Sequence, residues 1–286
     1  MRIEDFKKKT QEQVFLLDNG KQPPLLKYEK LEEIPWICHC FTTREGGVSQ
    51  GIFSELNLSF TRGDKEESVR ENYRRVAERM GTEITQFVCS DQTHTTNVRI
   101  VTGEDAGAGV VRERGYTDVD GLITNEPGLV LSTFYADCVP LYFVDVENHA
   151  IGLSHSGWRG TVGRMGARTI EAMQEAYGTN PKHLICAIGP SICQDCYEVS
   201  EDVAEAFAEE FSDKKTEILK SKGGGKYLLN LWRTNEIVLT EVGVPKEQIA
   251  TTNLCTCCNP KLLFSHRASH GKRGNLGAFL MIKESC

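Results

Sequence analysis

The chain has no apolar run approaching the ~20 residues needed to cross a bilayer, so no membrane span is expected. It is poor in positive charge: 33 Lys and Arg stand against 40 Asp and Glu, a formal net charge of -7. Nonspecific nucleic-acid binding needs a dominant basic surface, and this balance argues against it. The opening residues are polar and broken by charge (Arg2, Glu4, Asp5, Lys7, Lys8, Lys9), unlike a signal peptide. The expected location is cytoplasmic, with the eleven cysteines as reduced thiols, most of them small buried hydrophobes. No internal repeat and no low-complexity linker is visible. Gly223-Gly224-Gly225 lacks the strand and helix context of a phosphate loop and reads as a loop tip.

What is present is a globular composition of 286 residues, 40% hydrophobic and 26% charged, enough for one large domain or two modest ones. Residues 1–33 read as a leading hairpin, turned at Asn19-Gly20, with a charged connector. They form an N-terminal extension to a single catalytic domain over 34–286; a split near residue 180 is the alternative. Apolar, β-rich stretches predict strands over 35–43, 86–90, 121–124, 129–135, 140–146, 150–154, 184–188, 249–254 and 278–282. Residues 64–80 predict a helix with Val69, Tyr73, Val76 and Met80 on one face, Asp64 as N-cap and Glu67 completing a capping box. Further helices are predicted over 161–177, closed by Gly178, and over 200–211 and 231–242. The fold class is α+β with mixed sheets.

Three short segments carry the chemistry: Asp91-Gln92-Thr93-His94, Ala136-Asp137-Cys138-Val139-Pro140-Leu141 and His155-Ser156-Gly157-Trp158-Arg159-Gly160. Each puts one metal ligand where a predicted strand ends or bends. A structural zinc usually takes four protein ligands. Three, such as His94, Cys138 and His155, leave a tetrahedral position open for water or substrate. Gly157 and Gly160 let the backbone turn sharply. The helix expected after them favours an anion at its N-terminus, where Arg159 adds charge. Spacing alone does not make the three segments converge. If they do not, Cys138 is a packed strand cysteine, His94 a hydrogen-bonded imidazole and the third segment a glycine-rich connection. A further arrangement makes Cys138 a nucleophile with His155 as its base, which excludes metal binding by the same thiol.

A second constellation competes. Cys193-Gln194-Asp195-Cys196 is a C-x-x-C, and Cys255-Thr256-Cys257-Cys258 follows much later. Four of these thiolates would close a structural zinc site. The gap is long, and the later run is read as lacking the C-x-x-C spacing of zinc ribbons. Buried or incidental thiols are therefore the expectation for Cys193, Cys196, Cys255, Cys257 and Cys258. A redox role would want a thioredoxin-like helix after Cys196, which Tyr197-Glu198-Val199 does not suggest. The basic run Lys261, His266, Arg267, His270, Lys272 and Arg273 reads as a phosphate clamp or a solvated loop.

With these residues the chain resembles the YfiH/YlmD family, also called the laccase-domain or polyphenol oxidoreductase family, from about residue 38 to 282. The matching motifs are Thr42-Thr43-Arg44 with Gly46-Gly47, Leu56-Asn57-Leu58, Gly63-Asp64, Glu71-Asn72, Gln92-x-His94, Asp120, Ala136-Asp137-Cys138 and His155-x-Gly157-Trp158-Arg159-Gly160. Ile188-Gly189-Pro190, Tyr197-Glu198-Val199, Cys255-Thr256 and Ser265-x-Arg267 complete the set. Three positions depart from the pattern. Thr95 replaces a frequent Gly, Ser265-His266-Arg267-Ala268 replaces Ser-Tyr-Arg-Arg, and Gly274-Asn275 replaces Gly-Arg. Arg273 or Lys272 are the substitutes at hand for the missing arginine.

The resemblance implies a four-layer α/β/β/α fold with mixed β-sheets, and zinc held by His94, Cys138 and His155. It implies a purine nucleoside enzyme. The reactions are phosphorolysis of adenosine, inosine, guanosine and methylthioadenosine to base plus (methylthio)ribose-1-phosphate, and deamination of adenosine to inosine. The laccase label implies copper and phenol oxidation instead. Several coppers need many imidazoles, whereas the chain has seven histidines, of which His39, His149 and His183 sit in no ligand-like spacing. A non-enzymatic metal-binding accessory protein is the remaining alternative. In the nucleoside reading Cys138, His155 and Asp120 are catalytic. Asp120 passes protons to the leaving ammonia while a water, its pKa lowered toward ~7 by the metal, attacks C6 of adenine. Arg44, Arg159 and Arg267 are expected to hold phosphate, and Asn57 and Gln92 to contact sugar or base. The partners are then purine nucleosides and phosphate, and the assembly a monomer or homodimer.

Overall fold

The apolar stretches alternate in where they send their side chains, and the layers follow from that. A computed structural model describes residues 1–284 and places fifteen strands among them. In chain order these are β1 (Phe15–Asp18), β2 (Leu25–Tyr28), β3 (Ile37–Thr42), β4 (Phe87–Cys89), β5 (Val98–Ile100), β6 (Gly121–Thr124), β7 (Val130–Tyr135), β8 (Val139–Asp145), β9 (Ala150–Ser156), β10 (Leu184–Ile188), β11 (Glu198–Ser200), β12 (Leu219–Gly223), β13 (Lys226–Leu229), β14 (Ile249–Thr251) and β15 (Leu276–Ile282). One six-stranded sheet has the order β1-β2-β3-β15-β7-β4 and the other β14-β10-β8-β9-β6-β5, with β11-β13-β12 as a small third sheet. Both large sheets are mixed: β4 runs parallel to β7, β14 to β10 and β5 to β6.

Along β15, Ala278, Leu280 and Ile282 enter the core between the two large sheets, while Phe279 and Met281 face outward. Along β8, Tyr142 and Val144 point inward and Leu141 and Phe143 outward. Successive strand side chains alternate between faces, and with both faces covered such strands are apolar throughout. The helix Glu66–Met80 covers the first sheet with Val69, Tyr73, Val76 and Met80. Helices Met165–Tyr177, Glu201–Glu210 and Leu231–Glu241 cover the second. The architecture is the expected four-layer α/β/β/α. Each fully buried Leu or Phe in these layers stabilises it by about 1.5–3 kcal/mol. No helix among the described residues is long and apolar enough to cross a membrane.

The segment before residue 34 contributes the hairpin β1–β2, which pairs from Asp18 with Leu25, so the connection spans 19–24 rather than a tight Asn19-Gly20 turn. Strands from both sides of residue 180 share the second sheet. Asp64 does not cap the first long helix, which starts at Glu66 after Lys65. Its carboxylate instead accepts from the Ser49 hydroxyl at 2.6 Å and the Asn57 amide at 3.0 Å. The helix expected over 161–177 is two, Trp158–Val162 and Met165–Tyr177. Arg164 at the break takes a left-handed φ of 60°, and its guanidinium pairs with Glu210 and Glu241 on two other helices.

His39 on β3 is 1% exposed, and its Nε2 accepts the Tyr28 N–H at 2.8 Å. Burial, with Lys27 and Lys283 nearby, depresses its pKa to about 3. An unfolded histidine titrates near ~6.5, so the unfolded state binds the extra proton first. Stability with respect to this group is full above pH ~6.5 and is lost progressively as pH falls toward ~3. Tm should decline through that window, and His39→Gln should flatten the decline. An unchanged slope in the variant would remove His39 as its source.

Candidate functional site

β7 belongs to the first sheet and β8 to the second, so the chain must cross between them at Ala136, Asp137 and Cys138. Asp137 takes a φ of 92°, a backbone state that costs a non-glycine residue on the order of 1–3 kcal/mol. Surrounding loops hold it there. The Asp137 carbonyl accepts the Ile192 N–H at 3.0 Å, Oδ1 the Thr256 hydroxyl at 2.6 Å and Oδ2 the Arg267 N–H at 2.7 Å. Cys138 is thereby presented at the end of the sandwich. β9 lies antiparallel to β8 with His155 opposite Pro140, which sets the imidazole beside the thiol. His94 arrives on the loop after β4, also with a positive φ of 68°.

Asp120, immediately before β6, fixes both imidazoles. Its Oδ2 accepts the N–H groups of Thr93 at 2.9 Å and Thr95 at 3.0 Å, and Oδ1 that of His94 at 3.2 Å. Oδ1 also meets His155 Nδ1 at 2.6 Å. Burial opposes its charge, but the His155 hydrogen bond and charge and the backbone N–H groups hold its pKa below the usual carboxylate value. A carboxylate on one ring nitrogen orients the other toward a metal position.

One ligand atom each from His94, Cys138 and His155 lie within 4.8 Å of one another, so the structure brings this triad together. His94 is exposed, Cys138 half-buried and His155 buried, which leaves the cluster open on one side. Burial raises the Cys138 thiol, but His155 and His94 outweigh it and bring it down to about 6. Burial lowers His155, and Cys138 and Asp120 outweigh that, taking it up to about 9. A Cβ at Gly157 would stand 2.9 Å from His94 Cδ2 and 3.1 Å from Cys138 Sγ, so glycine is what gives the cluster room. Two imidazoles, one thiolate and a backing carboxylate fit a metal ion that keeps an open position.

The open side faces a cavity of about 900 Å³. Phe60, Tyr116 and Phe134 line it, together with Arg62, Arg114 and Arg273 and the carboxylates of Glu66, Asp91 and Glu113. Gln92 lines it too, but its amide is tied to the Phe134 backbone, donating at 2.8 Å and accepting at 2.7 Å. Four other predicted contact residues do not line it. Arg44 donates to Ser54 O and Pro260 O and lies over the Phe264 ring. Asn57 is buried and bonded to Ser59, Asp64 and Asn275. Arg267 donates to Cys196 O and Glu198 O. Arg159 lies over the Trp158 ring.

Arg62, Phe60, Tyr116 and Phe134 escaped the sequence reading, whereas Arg273 entered it as a member of the basic run and as a substitute for the missing arginine. Arg273 Nε is buried without a hydrogen-bond partner among the described residues. Burial and the nearby Arg62 charge pull this guanidinium down to about 10. The basic run containing it was the available signal. Against expectation, Cys193, Cys196, Cys255 and Cys258 also converge, their sulfurs within 4.8 Å of one another. β10 and β14 are parallel neighbours, so the loops that follow them meet. The overlooked sign is that Cys255 and Cys258 are themselves a C-x-x-C.

Asp120→Asn should weaken metal binding roughly 10–100-fold, because an amide cannot serve three N–H groups and the imidazole alike. Competition against a chelator measures this; wild-type affinity in the variant would show that the carboxylate does not orient His155.

Residues 38–283 match the family described as multi-copper polyphenol oxidoreductase laccase. The chain is 36% identical over 247 residues to purine nucleoside phosphorylase YlmD of Bacillus subtilis (strain 168), covering 86% of this chain and 88% of that protein. It is 31% identical over 247 residues to adenosine deaminase RL5 from an unknown prokaryotic organism, covering 85% and 94% respectively. The crystal structure of the Bacillus licheniformis hypothetical protein YfiH superposes with a TM-score of 0.88 at 32% identity, covering 93% of this chain and 99% of that one. Matched along most of its length in sequence and in fold, the chain belongs to this laccase-like family, the YfiH/YlmD family.

Proposed function

We propose that this chain is a zinc-dependent purine nucleoside enzyme. It cleaves adenosine, inosine, guanosine and methylthioadenosine with phosphate, giving the base and (methylthio)ribose-1-phosphate, and it deaminates adenosine to inosine. The observation that carries the proposal is a cavity of about 900 Å³ with the His94, Cys138 and His155 cluster in its wall and a half-buried Arg273 short of a partner. That volume suits a nucleoside with phosphate beside it. The names of the Bacillus subtilis relative and of RL5 support the two activities. Ten free thiols among the described residues suit a reducing, cytoplasmic setting.

Zinc bound at the triad supplies Lewis acidity at one open position. The chain's side chains do the rest. Arg273, with Arg62 beside it, holds phosphate through the planar fork that matches its oxygens. Phe60, Tyr116 and Phe134 in the wall offer apolar aromatic contact to the purine. In phosphorolysis a phosphate oxygen bonds to C1′ as the glycosidic bond breaks, and the base leaves with the electron pair and takes up a proton. Asp120 is a positioning residue in this reading rather than a proton carrier. Its two oxygens already accept three N–H groups and face one imidazole, which uses its roughly four lone-pair sites.

One observation favours copper: two imidazoles and a thiolate are also the equatorial set of blue-copper sites. No methionine lines the cavity, however, and His94 and His155 are the only histidines that do. Intense blue absorbance with bound copper would favour the oxidase.

Zinc-loaded protein should convert adenosine to adenine and ribose-1-phosphate only when phosphate is present, and to inosine with or without it. Neither product would sink the nucleoside reading. Arg273→Met should raise the KM for phosphate about 10–100-fold, the range of a charged hydrogen bond, and leave deamination nearly intact. An unchanged phosphate KM would place the anion elsewhere.

A further inference from the structure

Away from the cavity, two loops bring four thiols to one point. The first follows β10 and carries Cys193 and Cys196; the second follows β14 and carries Cys255 and Cys258. The loops are already in register: Ser191 bridges Cys255, and the Thr256 N–H donates to Ser191 O at 3.1 Å. The four sulfurs lie within 4.8 Å of one another, with Cys196 and Cys258 3.5 Å apart. Zinc–thiolate bonds of about 2.3 Å in a tetrahedron set sulfurs about 3.8 Å apart, so small shifts close the shell. Cys255 Sγ also accepts the N–H groups of Cys193 at 3.2 Å and Cys258 at 3.4 Å. Backbone donors of this kind support thiolate charge and orient the ligand. Lys9, paired with Asp195 at 3.0 Å, faces Cys193 and Cys258 and offsets part of the negative charge of four thiolates. None of the four cysteines lines the cavity.

We propose that Cys193, Cys196, Cys255 and Cys258 form a closed tetrathiolate zinc site, distinct from the triad, that staples these two loops together. Four protein sulfurs leave no open position, so the site is structural rather than catalytic. Its reach into the cavity wall is through Asp137. Ile192 from the first loop and Thr256 from the second both bond that residue, which carries the positive φ next to Cys138. Arg267 adds a third tie, joining Asp137 to Cys196 O and Glu198 O. A strained residue persists only where its surroundings over-determine it, and the staple supplies that.

Elemental analysis of the full-length protein, loaded with zinc and freed of loose metal, tests this directly. Wild type should hold two zinc ions per chain, Cys138→Ala one, and the double variant Cys193→Ser with Cys196→Ser one. If the double variant does not fold, zinc-edge X-ray absorption of Cys138→Ala gives an independent reading. Its remaining zinc should show four sulfur neighbours at about 2.3 Å and no nitrogen. The proposal is overturned by one zinc in wild type and none in Cys138→Ala. Iron in place of zinc, a nitrogen-containing shell, or a mass deficit showing these cysteines as disulfides would overturn it equally.

Discussion

Everything at the mouth of the sandwich hangs on the Asp120 carboxylate. It lies buried at the start of β6 and makes four contacts, three to consecutive backbone N–H groups and one to an imidazole. The three N–H bonds curl the 93–95 turn and turn His94 toward the cluster. The fourth fixes the ring of His155. A buried carboxylate without such partners would cost several kcal/mol, and with them it becomes an anchor between two segments distant in sequence. Geometry at the triad is therefore set by one group that never faces the cavity.

The rest of the geometry comes from the chain passing between sheets. β7 ends in one layer and β8 begins in the other, and the crossing residue before Cys138 is held at a positive φ by Ile192 and by Thr256 and Arg267 from the connection between β14 and β15. Side chains on such a seam gain precision from both layers, since each sheet is packed on two sides. The cavity wall is drawn from different elements: Arg273 from the approach to β15, Tyr116 from the loop before β6, and Phe60 from the stretch before the first long helix. Packing of the four layers therefore governs the distance between the His94, Cys138 and His155 cluster and Arg273.

Much of this was legible from residues alone. His94, Cys138 and His155 stood out because a soft thiol and two imidazoles at strand ends are unusual company for ordinary core. The central strands were legible because their apolar runs are continuous and short, whereas β5, β11, β12 and β13, short or largely exposed, went unpredicted. Four of the expected contact residues lie outside the cavity lining, and the reason is physical. A sequence shows that Arg44, Arg267 and Asn57 carry donors, but not that backbone carbonyls and neighbouring side chains already occupy them. Arg273 is a mixed case: its Nη1 donates to Asn275 Oδ1 and Gly274 O, while its buried Nε has no partner among the described residues. The helix break at Arg164 was hidden for a similar reason, because its ion pairs reach two helices far along the chain. The four thiols escaped because their meeting depends on the parallel pairing of β10 with β14, a non-local fact.

The order of the first sheet has a consequence in time. β15 lies between β3 and β7, so these two do not pair with each other, and each gains its second neighbour only from residues 276–282. A chain emerging from the ribosome would carry β3 and β7 as open edges until that segment arrived. Unpaired edges of apolar strands invite wrong pairings, and contacts this distant in sequence form slowly. The gap between β3 and β7 is closed by that one strand, which pairs with both. Until it is filled, helix Glu66–Met80 lacks part of the surface it packs on, Phe279 and Met281, and the nascent protein is at its most vulnerable to aggregation.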